Sequence, residues 1–541
     1  MTQGIRDTHN LMRCVFCLFC LSQSTMNKKN QSGKTRSKRR IYFITPLNPD
    51  NFWTMQSSVK AVGAKTLMPN NTLATLIALI PKDLDIECAY CDENIANIDF
   101  DMDCDLVAIT GFTVHAHRIR EISGRFREKK IPVALGGPFA TLYPDEGKKV
   151  SDHLFIHEAE YTWPRFLREW MDGKARPLYE QKSFIDMADS PPPDWSRIKG
   201  KDYLYFSVQT SRGCPNNCDF CDAIRLVGRR YRTKRIGQIM TEIKNAYSAG
   251  AETIFFSEDN FFVKKEFTRE LLTEIIRWNS SLTIPVSFAA QATIMIGSDE
   301  EILKLLADAR FSVVFLGVES IRKECLAEVN KGHLLKYDPF HAVTRLSRYG
   351  ILPFIGFIVG FDNDGPGTFA EVEEFLNRSG SPLASISILN APENTTLYNR
   401  MKSRGRIDEN FKGLWHLSTN IIPVSMSIHE LLENHRSLFR RLYQPENFEK
   451  RALDWLSNIE YVSPLYKHSR MSFSKFFKLF KIMNYYLFHE PKQVRRLFFR
   501  MLKNSWKMSP RLFKKAIMVM SQYCHYYDFS HNDAWQSYKK I

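Results

Sequence analysis

Within "SVQTSRGCPNNCDFCDAI", residues 207–224, Cys214, Cys218 and Cys221 are spaced C-x3-C-x2-C. Three thiolates are an odd set for a structural metal. Zinc is closed by four ligands, usually two pairs, and no second Cys/His pair nearby supplies the fourth. A [4Fe–4S] cubane is usually held by four thiolates. One held by three leaves an iron open, and an open iron can bind a substrate. Gly213 and Pro215 shape the turn, and Asn216 and Asn217 tolerate unusual backbone angles. The spacing predicts a cluster loop with one free coordination position.

A loop of this kind needs a scaffold, and the hydrophobic pattern supplies two. From 40 to 175, strand patterns ("RIYFITP", "IECAYCDE", "DLVAITGF", "IPVALGG", "DHLFIHE") are interleaved with helix patterns ("TLATLIALIP", "AHRIREISGRFREKK", "AEYTWPRFLREWMDG"). That alternation implies a parallel sheet in a Rossmann-like α/β domain. Ligands on such sheets sit beyond the C-terminal strand ends. Gly111, Gly136 and Gly137 fall at such ends, where backbone can approach a ligand closely. Residues 176–203, with "SPPPD", read as a linker. Residues 204–391 repeat strand then helix about six times, too few for a closed eight-fold barrel. Residues 392–541 read as a helical C-terminal region, and residues 1–39 as a disordered basic arm. The fold class expected is therefore α/β: a Rossmann-like domain, a (β/α)6 partial barrel carrying the cysteines after its first strand, and a helical basic end.

The C-x3-C-x-aromatic-C motif at a strand end resembles the cluster motif of the radical S-adenosylmethionine (SAM) enzymes. The resemblance implies that SAM chelates the open iron through its amino and carboxylate groups, with Phe220 beside the adenine. Around the other strand ends it implies SAM contacts at Asp259 and Asn260 of "SEDNFF", Gln291, and Glu319 and Ser320 of "GVES". Relatives usually carry Glu where Gln291 stands; Gln still bonds a hydroxyl but loses charge assistance. "GFIVGF" is similar to the family's glycine-containing strand by the adenine. Taken singly, each of these could be a loop or capping residue.

The N-terminal domain resembles the cobalamin-binding domain that precedes many radical SAM barrels, and the likeness spans roughly 40–530. It is similar to the group containing the hopanoid C-2 methylases. The implied cofactors are a [4Fe–4S] cluster, SAM and cobalamin. The implied activity is C-methyl transfer to an unactivated carbon of a hydrophobic, lipid- or hopanoid-like substrate, with a one-electron reductant protein of flavodoxin or ferredoxin type. The alternatives are a non-methylating rearrangement or cyclisation on a vestigial cobalamin domain, a tRNA methylthiotransferase, or a non-catalytic iron–sulfur module. Three departures bear on cobalamin. The D-x-H-x-x-G motif is absent, "MPNNTLATL" replaces an apolar pattern, and His157 stands where Gly is usual before Glu158.

Composition bounds the rest. Eleven cysteines in no regular framework argue for a reducing compartment, so a cytoplasmic site is expected. "LMRCVFCLFCLSQS" lacks a cleavage site, and Met26, which follows it, is an alternative start; no cluster is assigned to Cys14, Cys17 and Cys20. The net charge of +16 is concentrated in residues 26–40 and in residues 467–515, where fourteen Lys/Arg face one acid, Glu490. Interleaved with aromatics, that tail is expected to touch an anionic membrane surface through residues 465–516. A packed helical cap is the plainer reading, and nucleic acid the least expected partner.

Overall fold

The computed structural model describes residues 38–411, 417–464 and 473–531. The arm expected at 1–39 lies almost wholly outside them. From Arg40 on, the described residues form one compact unit.

The first sheet contains β1 (Arg39–Thr45), β2 (Ile86–Asp92), β3 (Leu106–Thr110), β4 (Val133–Gly136), β5 (His153–Ile156) and β6 (Leu178–Glu180), in the order β2-β1-β3-β4-β5-β6. β1–β3, β3–β4, β4–β5 and β5–β6 pair in parallel. β6 lies inside the stretch expected to be linker: Tyr179 is apolar enough to be fully buried and adds a sixth strand. Alternation along β1 explains the near-continuous apolar run. Tyr42 and Ile44 pack with Ile119, Ile122 and Phe126 of the helix Ala116–Glu128, whereas Ile41 and Phe43 pack with Trp163, Phe166 and Leu167 of the helix Thr162–Met171. Both faces are covered, as in other parallel sheets. The strand order reverses between β1 and β3, and a crevice for ligands opens at such a switch point.

The second sheet runs β14-β13-β12-β11-β10-β7, every neighbour parallel: β7 (Phe206–Val208), β10 (Thr253–Phe256), β11 (Ser287–Thr293), β12 (Phe311–Glu319), β13 (Leu352–Val359) and β14 (Leu383–Ile388). Sequential order without a β14–β7 pairing among the described residues is an open six-strand barrel. Along β12, Val314, Leu316 and Val318 are buried against the outer helices, while Val313, Phe315, Gly317 and Glu319 alternate with them and are half-buried. The second set faces a hollow lumen. Two short strands, β8 (Ser211–Arg212) and β9 (Arg232–Thr233), form an antiparallel ribbon at the base of the cysteine loop.

The C-terminal helices pack on the barrel. Tyr443 Oη accepts from the Ala384 amide (2.9 Å) and donates to its carbonyl (2.8 Å) on edge strand β14. Tyr486, Leu497, Phe498, Met501, Tyr523 and Tyr526 are all fully buried in the barrel's core cluster. Lys515 is buried too and donates to the Gly350 carbonyl. Part of the aromatic and basic content of the C-terminal region is therefore core. The helical-cap reading accounts for it, because aromatics at helical spacing cover the outer face of the barrel.

Candidate active site

The cysteine loop is pinned from several sides. Gly213 has φ +91°, and a Cβ there would fall on the Arg230 carbonyl, so only glycine fits. The Cys214 amide donates to the Gly228 carbonyl (3.3 Å) and the Cys221 amide to Cys218 (3.1 Å). The Asp219 amide donates to the Val329 carbonyl (3.0 Å), Asn330 donates to the Asn217 carbonyl (2.9 Å), and the Asp219 carboxylate pairs with Arg400. The loop is thus clamped between the segment after β12 and the helix Thr396–Ser403.

All three thiols are free and half-buried. Burial pushes Cys214 and Cys218 up and Cys221 up to about 12. Unliganded, they stay protonated near neutral pH; iron is the counter-charge that makes thiolates of them. Among the described residues, no three His, Cys, Asp or Glu side chains converge on a point as one ion requires. A cubane does not require it, since its thiolates bind different irons. The donor set fits a cubane and not a zinc ion.

Glu319 ends β12 in the left-handed region, φ +62°, and its carboxylate pairs with Lys331, a residue that sequence reasoning missed. Their side chains are 14% and 7% exposed. A Cβ on Gly317 would lie 2.7 Å from Glu319 Oε1, so the bare glycine makes room for the pair over the strand. Lys331 Nζ also lies 6.0 Å from the Phe220 ring centroid and is the nearby cation that opposes the upward shift of Cys214 and Cys218. Nothing in "VNKGH" flags Lys331 as functional; only the fold brings it to the cysteines.

The remaining barrel candidates divide. Burial raises Asp259, against a hydrogen bond from the Gly213 amide, which places its carboxylate at the base of the cysteine loop. Gln291 is half-buried and donates to the Glu258 carbonyl (2.7 Å). Asn260 and Ser320 are different. Asn260 Oδ1 accepts from the Phe262 (3.2 Å) and Thr293 (3.4 Å) amides, and Ser320 Oγ from the Arg322 amide (3.1 Å). These oxygens hold the turns that follow β10 and β12.

A cavity of about 1140 Å³ opens at the switch point of the first sheet. Its walls are the strand ends Thr45–Asn48, Thr110–Phe112, Gly136–Pro138 and His157–Glu160, and, from the barrel side, Ser207, Gln209, Arg212, Phe255 and Ser257. Gly111, Gly136 and Gly137 all line it. Their constraints differ. Gly137 has φ +88° and a Cβ there would fall on Thr110 Oγ1, whereas a Cβ at Gly136 meets only Phe155 Cβ at 3.4 Å. Two of the three departures also line the cavity, "MPNNTLATL" through Met68–Thr72, Thr75 and Leu76, and His157. His157 has φ +68°, which is why Gly is the usual residue there. His115 is at the wall but saturated: Nδ1 accepts from the Phe112 amide (3.0 Å) and Nε2–H donates to Asn48 Oδ1 (2.8 Å). Burial lowers its pKa, so it stays neutral with no ring nitrogen to offer a metal. Cys91 and Cys104 are buried in the core on one face of the first sheet, with Cys88 against the other, so they form no second cluster loop.

Residues 208–376 match the family model of the radical SAM superfamily, and residues 395–537 match a domain of unknown function. An uncharacterized methyltransferase of Synechocystis sp. is 30% identical over 76% of this chain and 77% of its own length. The chain belongs to the radical SAM superfamily. The hopanoid C-2 methylase of Rhodopseudomonas palustris is 29% identical over 78% of this chain and 80% of its length. The structure of the cobalamin-dependent SAM radical enzyme OxsB, with aqua-cobalamin and SAM bound, covers 93% of this chain, and this chain covers 81% of it, with TM-score 0.59 and 16% identity; that likeness is one of fold. Membership makes the protein an enzyme, and it agrees with the cysteine loop, which opens the matched segment directly after β7.

Proposed function

We propose that this radical SAM enzyme is a cobalamin-dependent C-methyltransferase acting on a large apolar substrate. The observation that carries the reading is the cavity. It joins the switch point of a cobalamin-type sheet to the inner wall of the barrel and to Arg212, two residues before the first cysteine. At about 1140 Å³ it exceeds the roughly 300–1,000 Å³ of ordinary ligand pockets. The names of the relatives, a methyltransferase and a hopanoid methylase, support the same reading.

When bound, the groups would supply one-electron cleavage of a sulfonium and a carrier for the methyl group. The chain supplies binding, orientation and exclusion of water. Cys214, Cys218 and Cys221 would hold the cluster. Phe220, Asp259, Gln291 and the Glu319–Lys331 pair would hold SAM. Gly111, Gly136 and Gly137 would let the corrinoid approach the backbone. The barrel wall is apolar: Trp53 reaches in from the first domain and packs on Phe315 (5.9 Å between centroids) and Phe354 (6.1 Å), with Phe255 on the cavity side. Gly356 leaves space for the Phe315 ring, which a Cβ would approach to 2.6 Å. Such a wall suits a polycyclic hydrocarbon face and keeps water from a reactive carbon.

Anaerobic purification with iron and corrinoid analysis tests this. The expected result is one cluster and about one corrinoid per chain. Gly137→Val should lose the corrinoid and keep the iron, because the valine collides with Thr110. A wild-type chain with a full cluster and no affinity for corrinoid overturns methyl transfer.

We propose that a membrane contact, if the tail makes one, is centred on the helix Phe473–Phe488. Among the described residues no helix is long and apolar enough to cross a membrane. On this helix Phe476, Phe477 and Phe480 are 58%, 50% and 57% exposed, with Lys481 beside Phe477. Exposed aromatics with cations bind anionic lipid surfaces. Co-sedimentation of the full chain should rise with anionic lipid and fall with salt, and Phe476→Ser/Phe477→Ser/Phe480→Ser should weaken it about tenfold or more, the scale of losing a few apolar contacts. Unchanged binding in the triple variant removes this helix from the contact.

A further inference from the structure

The cysteine loop, residues 213–231, is closed at its neck by the β8–β9 ribbon, in which Arg212 faces Arg232. Both arginines reach one carboxylate that belongs to the other sheet. Glu158 follows β5. Its Oε1 accepts from Arg212 Nη1 (3.0 Å) and Arg232 Nη1 (2.9 Å), and its Oε2 from the Ile185 amide (2.9 Å) and Arg232 Nη1 (3.1 Å). Glu160 takes the other Arg212 nitrogen (2.7 Å), and Arg212 Nε donates to Gln209 (2.8 Å). Arg232 continues to the carbonyls of Ile185 and Val227 (both 3.1 Å), and its guanidinium lies 4.6 Å from the Phe184 ring centroid. The four charged side chains are 4–15% exposed, two cations against two anions.

Two features make this more than a buried ion network. Glu158 and Glu160 sit on the His157–Glu160 turn, which lines the cavity at the end of the first sheet. Leu226 and Val227, on the returning limb of the cysteine loop, line the same cavity. The turn that touches the cavity's contents therefore grips both sides of the neck from which the cysteines hang. A carboxylate held by this many donors in a dry site cannot shift alone, since an unpaired buried charge is costly.

We propose that Glu158 is a positioning residue that couples filling of the cavity to the order of the cysteine loop. Ordering the His157–Glu160 turn fixes Glu158, which fixes Arg212 and Arg232, and these set the angle at which residues 213–231 leave the barrel. By linkage, a formed cluster strengthens binding in the cavity by the same factor. The coupling rests on the reading that the cavity takes a corrinoid.

The test uses the reconstituted full chain, hydroxocobalamin as the probe, and anaerobic extraction of iron by a chelator. In the wild type, hydroxocobalamin should slow iron release about fivefold or more, the lower end of usual coupling strengths. The reciprocal arm compares hydroxocobalamin affinity of the apo and cluster-loaded chain, and should show tighter binding to the loaded chain. In Glu158→Gln, iron should leave faster without corrinoid, and the protection should fall to near one while hydroxocobalamin still binds. Glu160→Gln, which breaks only the Arg212 branch, should give an intermediate ratio and serves if Glu158→Gln does not fold. Equal protection in the wild type and in the variants overturns the coupling. If the wild-type chain binds no hydroxocobalamin, the corrinoid reading fails by itself. The role of Glu158 is then decided by the corrinoid-free rate: faster release in Glu158→Gln sustains it and an unchanged rate ends it.

Discussion

Replacing Cys214, Cys218 or Cys221 with Ala, one at a time, should abolish both the cluster and SAM cleavage. Iron in the anaerobically reconstituted protein should fall from ~4 per chain, the content of one cubane, to background, and 5′-deoxyadenosine formation should cease. The size of the effect follows from the loop. With one iron left for SAM, three thiolates are the minimum set, and a carboxylate oxygen is a poor replacement for thiolate sulfur on a cluster iron. The Asp219 carboxylate, the nearest by sequence to Cys218, pairs with Arg400, and Asp259 sits under the Gly213 amide. Overall folding should survive, because the loop is also held by bonds from Gly228, Val329 and Asn330 that no cysteine side chain makes. Near-normal iron together with 5′-deoxyadenosine formation in any one variant would refute the assignment of that cysteine.

The second large effect is expected at the Glu319–Lys331 pair. Glu319→Ala leaves the Lys331 ammonium, 7% exposed, without its carboxylate. Breaking a buried pair from one side costs about 3–5 kcal/mol. SAM affinity should fall as well, by about tenfold or more, since a charged hydrogen bond contributes roughly 1.5–3 kcal/mol. The two losses separate in a double variant. Glu319→Leu/Lys331→Met removes both charges at similar volume, so stability should recover to near wild type, while SAM binding stays weak. Thermal unfolding and equilibrium SAM binding on the cluster-loaded protein read the two arms. If the double variant binds SAM normally, the pair only supports the loop after β12.

Much of this enzyme is legible in one dimension. The cysteine spacing identifies the cluster, because three thiolates within eight residues form a local ligand set whatever the rest of the chain does. The strand–helix alternation identifies both sheets, because strands buried on both faces must be almost wholly apolar. β1, β3 and β4 lie within a few residues of where their patterns put them, and six barrel strands fill the stretch where about six strand–helix repeats are expected. β6 was hidden because three residues beside a proline-rich stretch carry almost no periodicity.

The tail is ambiguous in sequence for a different reason. A basic aromatic helix has the same composition whether its aromatics face lipid or core, and only packing decides. Tyr486 and Phe498 went to the core, whereas Phe476, Phe477, Phe480, Phe488, Phe499 and Trp506 stay exposed. The strand-end residues show the same limit. Asn260 and Ser320 stand where ligand residues stand, but their oxygens hold turns, whereas Lys331 stands in no motif and Glu158 marks only a family-like segment, yet both lie at the centre of ion networks. Sequence by itself determined which local chemistry is available and which elements carry it, since ligand spacing and hydrophobic period are properties of neighbouring residues. Only the tertiary structure decided which distant charges meet, since Arg212 and Glu158 are 54 residues apart and pair because a buried charge is costly without an opposite one beside it.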